Sequence, residues 1–213
     1  MKRRLIGYYD YTVILTYCGM ISSMIGIMLV LKGHFISATI MLLVAGLCDM
    51  FDGTVASTKD RSPAQKMFGV QIDSLGDLVS FGVFPAIFEY CLCGQTISAG
   101  IIASMYALCA LIRLAYFNVL EAERQAENPN GKKSFMGVPV TTIALLLPAA
   151  FFIFKSTILG ERDIISIILA ITAIGFITPI EISKPGKKGK LIIIAIGAVI
   201  LAAVVWLLVK KHI

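Results

Sequence analysis

Four aspartates stand inside long apolar stretches of this chain, Asp49 and Asp52 in one and Asp73 and Asp77 in the next. Hydrocarbon is a costly place for a carboxylate. One Asp at the centre of a membrane helix costs about 2.5–3.5 kcal/mol, so four cost roughly 10–14 kcal/mol, and something must offset that. The first pair is spaced i,i+3 and the second i,i+4, so on helices each pair shares one face. A short polar turn joins the two stretches, which must therefore run antiparallel. Positions 49 and 77, and 52 and 73, are then nearly mirror-placed about residue 63, and the four side chains converge roughly 10–18 Å below the turn. Carboxylates that close cannot all stay ionised without cations. The plain alternative is a partly protonated, hydrogen-bonded cluster in a packed bundle. A hard divalent ion fits the residue types better. The donors are all oxygen, which suits Mg²⁺ or Mn²⁺, and the two histidines, His34 and His212, lie at segment ends. Four bridging carboxylates suffice for two metals about 3.5–4 Å apart, the spacing that clamps phosphoryl transfer.

The rest of the chain predicts the frame that holds them. Of 213 residues 58% are apolar and 15% charged, too few charges for a soluble enzyme or a disordered protein. Apolar segments fall at 11–31, 35–58, 66–90, 96–119, 136–155, 163–180 and 190–209. The expected fold is all-α: a polytopic bundle of six core spans over 11–180, one further C-terminal hydrophobic segment at 190–209, and a short interfacial segment at 1–10, in a single domain over 1–213. MKRR before the first apolar run resembles the start of a signal peptide, but the run is too long and no cleavage site follows, so a retained span is expected. The net charge of +6 sits in the connections. Lys2 to Arg4, Lys59 to Lys66, Lys132 with Lys133, and Lys184 to Lys190 all fall on one side if the first six segments each cross once. The positive-inside rule makes that side cytoplasmic and the protein integral to the cytoplasmic membrane. Such charges meet anionic lipid, and Lys132 and Lys133 are expected to do so. With one Trp and no aromatic–basic platform, no nucleic-acid partner is expected. The odd set of five cysteines, mostly in apolar runs, reads as buried small hydrophobes. Glu89, near the outer end of the third span, is expected to reach the interface.

Gly53, Ala56, Gly69 and Gly76 are interleaved with the acids. Small residues let helices approach closely and let backbone approach a ligand. The whole string, Asp49-x2-Asp52-Gly53-x2-Ala56 followed by Gly69-x3-Asp73-x3-Asp77, resembles the signature of the CDP-alcohol phosphatidyltransferases, D-x2-D-G-x2-A-R-x8-G-x3-D-x3-D. Seven of the eight fixed positions agree. The sequence departs in two places: Ser57 stands where the family has Arg, and twelve residues instead of nine separate Ala56 from Gly69. The stretches Phe68 to Ala86, Arg113 to Val119 and Phe135 to Thr142 are similar to the branch of that family that takes L-serine as acceptor. The similarity covers about residues 11–155.

The resemblance implies a membrane-embedded enzyme, commonly homodimeric, that transfers the phosphatidyl group of CDP-diacylglycerol to L-serine and releases CMP at the cytoplasmic face. It implies Asp49, Asp52, Asp73 and Asp77 as ligands of two Mg²⁺ or Mn²⁺ ions, with Asp77 as the base for the serine hydroxyl. CDP would lie against Asp49, Asp52, Gly53, Thr54, Ala56, Ser57, Gly69 and Asp73, and Lys59 or Arg61 would take over from the missing Arg. Serine carries a carboxylate, and Arg113 is the one Arg inside an apolar segment; it either faces a polar cavity as the carboxylate's partner or snorkels to the interface. Asn118, Ser80 and Phe81 are the further candidates for the acceptor pocket. Two other readings stay open from the residues. A sister enzyme would use glycerol 3-phosphate or an inositol phosphate, but those acceptors call for more cations. A divalent-cation transporter would need acids through the full depth, and the outer half offers Glu89 alone.

Overall fold

The computed structural model describes residues 6–127, 135–154 and 160–182. A 3₁₀ turn, Tyr11–Val13, leads into α1, Ile14–Leu31. α2, Phe35–Ala56, returns alongside it. Ser62 and Gln65 form a capping box with Pro63 in the first turn, so α3 starts sharply and runs Pro63–Asp77. A wide π turn, Leu78–Val83, carries it on into α4, Phe84–Leu92. α5 is Ile97–Glu127, α6 is Ile143–Phe154 after a 3₁₀ turn Val140–Thr142, and α7 is Gly160–Ile177. Two-residue strands β1, Phe135–Met136, and β2, Glu181–Ile182, pair antiparallel. Among the described residues, four helical stretches are long and apolar enough to cross a membrane, Tyr11–Leu31, Phe35–Ala56, Pro63–Leu92 and Ile97–Glu123. Apart from that short strand pair the described elements are helical, and their length and apolarity are those of a multi-pass membrane protein. Lys132, Lys133 and the segment 190–209 lie outside the described residues.

Packing follows from the side chains. α1 lies along α2, α5 along α7, and α4 reaches α1, α5 and α7. Phe81, Phe84, Phe88, Tyr106, Leu147 and Leu169 are sealed at the centre. Phe88 meets Phe35 and Phe151 edge to face, with centroids 5.3 and 5.5 Å apart, a geometry aromatic pairs prefer. Where α1 crosses α4, a Cβ on Gly26 would stand 2.3 Å from the Phe84 ring; the glycine is what admits the ring. The outward faces are as apolar as the core. Ile14, Ile21, Ile25 and Met28 on α1, and Ile167, Ile171 and Ile174 on α7, are exposed at helical spacing, as lipid-facing stripes must be.

Several tethers gather the same ends of the helices. β1–β2 and the Gly137 N–H donating to Ile180 O (2.7 Å) join the chain after α5 to the chain after α7. Asn118 near the end of α5 bonds Ser74 of α3. Asp10 accepts from Thr12 N (2.9 Å), from the Thr12 hydroxyl, and from Lys59 Nζ (3.1 Å). Tyr11 and Thr58 share a hydroxyl–hydroxyl bond of 3.1 Å, and Tyr8 packs edge-on against Phe68. The chain before α1, the α2–α3 turn, the end of α5 and the end of α7 therefore share one end of the bundle.

Asp10 gives this latch a pH dependence. Hydrogen bonds from the Thr12 hydroxyl, Lys59 and the Thr12 backbone hold its carboxyl at about 2, below its ordinary 3.8. A carboxyl depressed by folding contributes fully above its unfolded value and loses that contribution as pH falls through the folded one. The latch should therefore hold at pH 5 and loosen as pH falls from about 4 toward 2. Asp10→Asn should speed backbone hydrogen exchange of residues 8–13 at pH 5; unchanged exchange would show that the carboxylate does not hold the segment.

Two expectations are corrected by these helices. Glu89 does not reach an interface. It is fully buried under α7, with Oε1 accepting from Ser166 Oγ at 2.7 Å and Oε2 left without a partner. Nothing in the run around residue 89 indicates which helix covers it. The cysteines are all free, but Cys109 alone of the five is buried and Cys18 is exposed on α1, where an apolar thiol can face lipid.

Candidate metal and acceptor site

α2 and α3 carry the acids to one place. One carboxylate oxygen from each of Asp49, Asp52 and Asp73 lies within 4.8 Å of the others, close enough for a single cation to touch all three. Asp77 is within hydrogen-bonding reach of Asp49, and Asp73 within reach of Asp52. These are the pairs that an antiparallel α2–α3 hairpin turning near residue 63 requires. Thr16 of α1 donates to Asp52 Oδ2 at 3.2 Å, orienting a carboxylate that is itself 8% exposed. The donor set is oxygen throughout, so the residues present fit a Mg²⁺ or Mn²⁺ ion.

Beside the acids lies a small cleft, lined among others by Thr16, Met20, Asp49, Asp77, Ser80 and Phe81. Of the signature glycines on the same two helices, Gly53 faces open space and Gly69 is covered. A Cβ on Gly53 would meet nothing within 4 Å. A Cβ on Gly69 would stand 2.8 Å from Arg61 Nη1, so the guanidinium lies over the glycine, and Arg61 Nε is buried with no hydrogen-bond partner. Lys59 is committed elsewhere, to Asp10 and over the Tyr11 ring. The Ser57 hydroxyl turns back onto Thr54 O at 2.7 Å.

Arg113 does not snorkel. At 6% exposure it is walled in, with Nε donating to Val138 O (3.3 Å), Nη2 to Gly137 O (3.4 Å) and the Phe117 ring 5.5 Å from Cζ. Nη1 is buried and unpartnered. Asn118 is turned instead to Ser74, the neighbour of Asp73, and Arg113 and Asn118 are not among the residues lining the cleft. Ser80 and Phe81 are. Sequence reasoning missed Thr16. The signal was present as Thr12, Thr16, Gly19, Ser23 and Gly26, which recur every three or four residues along one face of the first span and are mostly buried.

A bundle of membrane-length helices with an all-oxygen acidic centre between its second and third members defines an intramembrane carboxylate-site protein. The chain belongs to the CDP-alcohol phosphatidyltransferase family, which it matches over residues 12–211. It is 40% identical over 130 residues to the CDP-diacylglycerol–serine O-phosphatidyltransferase of Saccharomyces cerevisiae, covering 60% of this chain and 46% of the yeast protein. It is 34% identical over 131 residues to the archaetidylserine synthase of Methanothermobacter thermautotrophicus, covering 61% of this chain and 52% of that protein. Against the CDP-diacylglycerol–serine O-phosphatidyltransferase of Methanocaldococcus jannaschii the identity is 29% over 203 residues, 95% of this chain and 86% of the other. The matched part spans about half the length of the yeast and Methanothermobacter relatives.

Proposed function

We propose that the protein transfers the phosphatidyl group of CDP-diacylglycerol to the hydroxyl of L-serine, releasing CMP. The observation that carries this reading is the convergence of Asp49, Asp52 and Asp73 at the positions of the family signature; the names of the relatives supply the acceptor. Asp49, Asp52, Asp73 and Asp77 would hold one or two Mg²⁺ or Mn²⁺ ions. When bound, such ions supply positive charge that stabilises the diphosphate and the departing CMP. The chain's own residues do the rest. Gly53, beside Thr54 and Ala56, leaves room for the nucleotide, and Gly69 lets the Arg61 guanidinium lie against α3 next to it. Arg61, with its unpaired Nε, replaces the Arg missing at Ser57 as a donor to the phosphates. Asp77 accepts the proton of the serine hydroxyl as its oxygen attacks the phosphorus that carries diacylglycerol. A P–O bond to serine forms, the P–O bond to CMP breaks, and CMP leaves with the bonding electrons. Arg113 offers Nη1 and the second hydrogen of Nη2 to the serine carboxylate.

On the same reading α6 and α7 complete six crossings of the cytoplasmic membrane. The end of the bundle bearing the α2–α3 turn faces the cytoplasm, as its basic residues favour, and two copies associate.

The test is CMP release by the purified protein with CDP-diacylglycerol and Mn²⁺, with serine, glycerol 3-phosphate and an inositol phosphate added one at a time. Release with serine alone is expected; release with a phosphorylated alcohol alone would move the protein to a sister activity. Arg61 has its own test. Gly69→Ala must push the guanidinium aside, so the KM for CDP-diacylglycerol should rise about tenfold, the loss of one hydrogen bond to a charged group. An unchanged KM would take Arg61 out of the nucleotide site.

A further inference from the structure

The turn that follows Asp77 is not α-helical, and one proline accounts for it. In an α-helix the carbonyl of Phe81 would accept from the backbone of residue 85, but that residue is Pro85, which has no N–H. The chain widens instead: the Phe84 N–H reaches back five residues to Val79 O, and Leu78–Val83 form a π turn. Phe81 O then takes its hydrogen bond from outside the helix, from the hydroxyl of Tyr106 on α5 at 2.7 Å. Tyr106 is completely buried, and its ring packs against Phe176 of α7 with centroids 5.5 Å apart. The Ser23 hydroxyl of α1 bonds Ser80 Oγ at 2.7 Å on the neighbouring residue. Ser80 and Phe81 are the residues of the turn that line the cleft beside Asp77.

We infer that Tyr106 is a positioning residue for the acceptor alcohol: through Phe81 O it holds the π turn open, and so sets Ser80 and Phe81 against the cleft next to Asp77. Tyr106 itself does not line the cleft. The inference rests on the proposed transfer reaction and names a residue that the family signature does not contain. Pro85 is its counterpart, because it removes the backbone donor that would close the turn to α-helix.

The pair gives a test that separates positioning from mere satisfaction of a buried carbonyl. Tyr106→Phe should raise the KM for serine about tenfold, while the KM for CDP-diacylglycerol and the Mn²⁺ concentration for half-activation stay within about twofold. It should also lower thermal stability, since Phe81 O loses its donor. In the double variant Tyr106→Phe/Pro85→Ala, the backbone N–H gained at position 85 can take Phe81 O and close the turn. Stability should return and the serine KM should stay raised. Two results would overturn the inference: an unchanged serine KM in Tyr106→Phe, or recovery of the serine KM together with stability in the double variant. A wild-type protein that releases no CMP with any acceptor would instead overturn the functional reading, and this inference with it.

Discussion

Asp73→Asn should abolish turnover while the protein still inserts and becomes, without added metal, no less stable than the wild type. Asparagine keeps the size of the side chain and one acceptor oxygen but removes a charge from a place where carboxylates crowd. A group that only orients a metal ligand already costs about 10–100-fold when lost, so removing a ligand should cost more than about a hundredfold. The two signs together are diagnostic. If the acids were a hydrogen-bonded structural cluster, removing one would strand a buried partner and lower stability. If they hold cations, Mn²⁺ should raise the melting temperature of the wild type and fail to raise that of Asp73→Asn. Asp49→Asn should behave alike, since Asp49 contributes to the same group of oxygens. Turnover within a few fold of normal in either variant would remove the metal assignment.

Arg113→Lys should raise the KM for serine about thirtyfold, roughly 2 kcal/mol, which is within the range for a hydrogen bond between charged groups. The KM for CDP-diacylglycerol should stay put. Lysine keeps the charge but not the planar fork, and in this protein two of the three guanidinium nitrogens are already used by the carbonyls of Gly137 and Val138. Burial of the unpartnered Nη1 is what points to a ligand. Were Arg113 there only to hold the 137–138 turn, its loss would lower stability and move both Michaelis constants together. An unchanged serine KM would take it out of the acceptor pocket.

The acidic cluster was legible because membrane insertion makes charge conspicuous. Asp49, Asp52, Asp73 and Asp77 are costly wherever they face lipid, and helical spacing across one hairpin is enough to place 49 against 77 and 52 against 73. Long-range packing was not legible in that way. Whether Glu89 and Arg113 reach water depends on α7 and on the 137–138 turn, which come from distant sequence, and both residues are buried. The third apolar segment reads as one helix because hydropathy does not register a π turn; Pro85 was the visible sign. α5 runs to Glu127, eight residues past the end of the apolar run at 119, since a helix need not stop where its hydrophobicity does. The polar stripe on α1 that supplies Thr16 is likewise present in the sequence but inconspicuous, because threonine in a membrane helix carries no charge penalty to draw attention.

The most direct test follows labelled serine. With CDP-diacylglycerol and Mg²⁺ or Mn²⁺, the purified protein should move label from L-serine into lipid one for one with CMP released. Chelation should stop both, and fresh metal should restore both. CMP release without labelled lipid, or labelled lipid formed at full rate in excess chelator, would contradict the account.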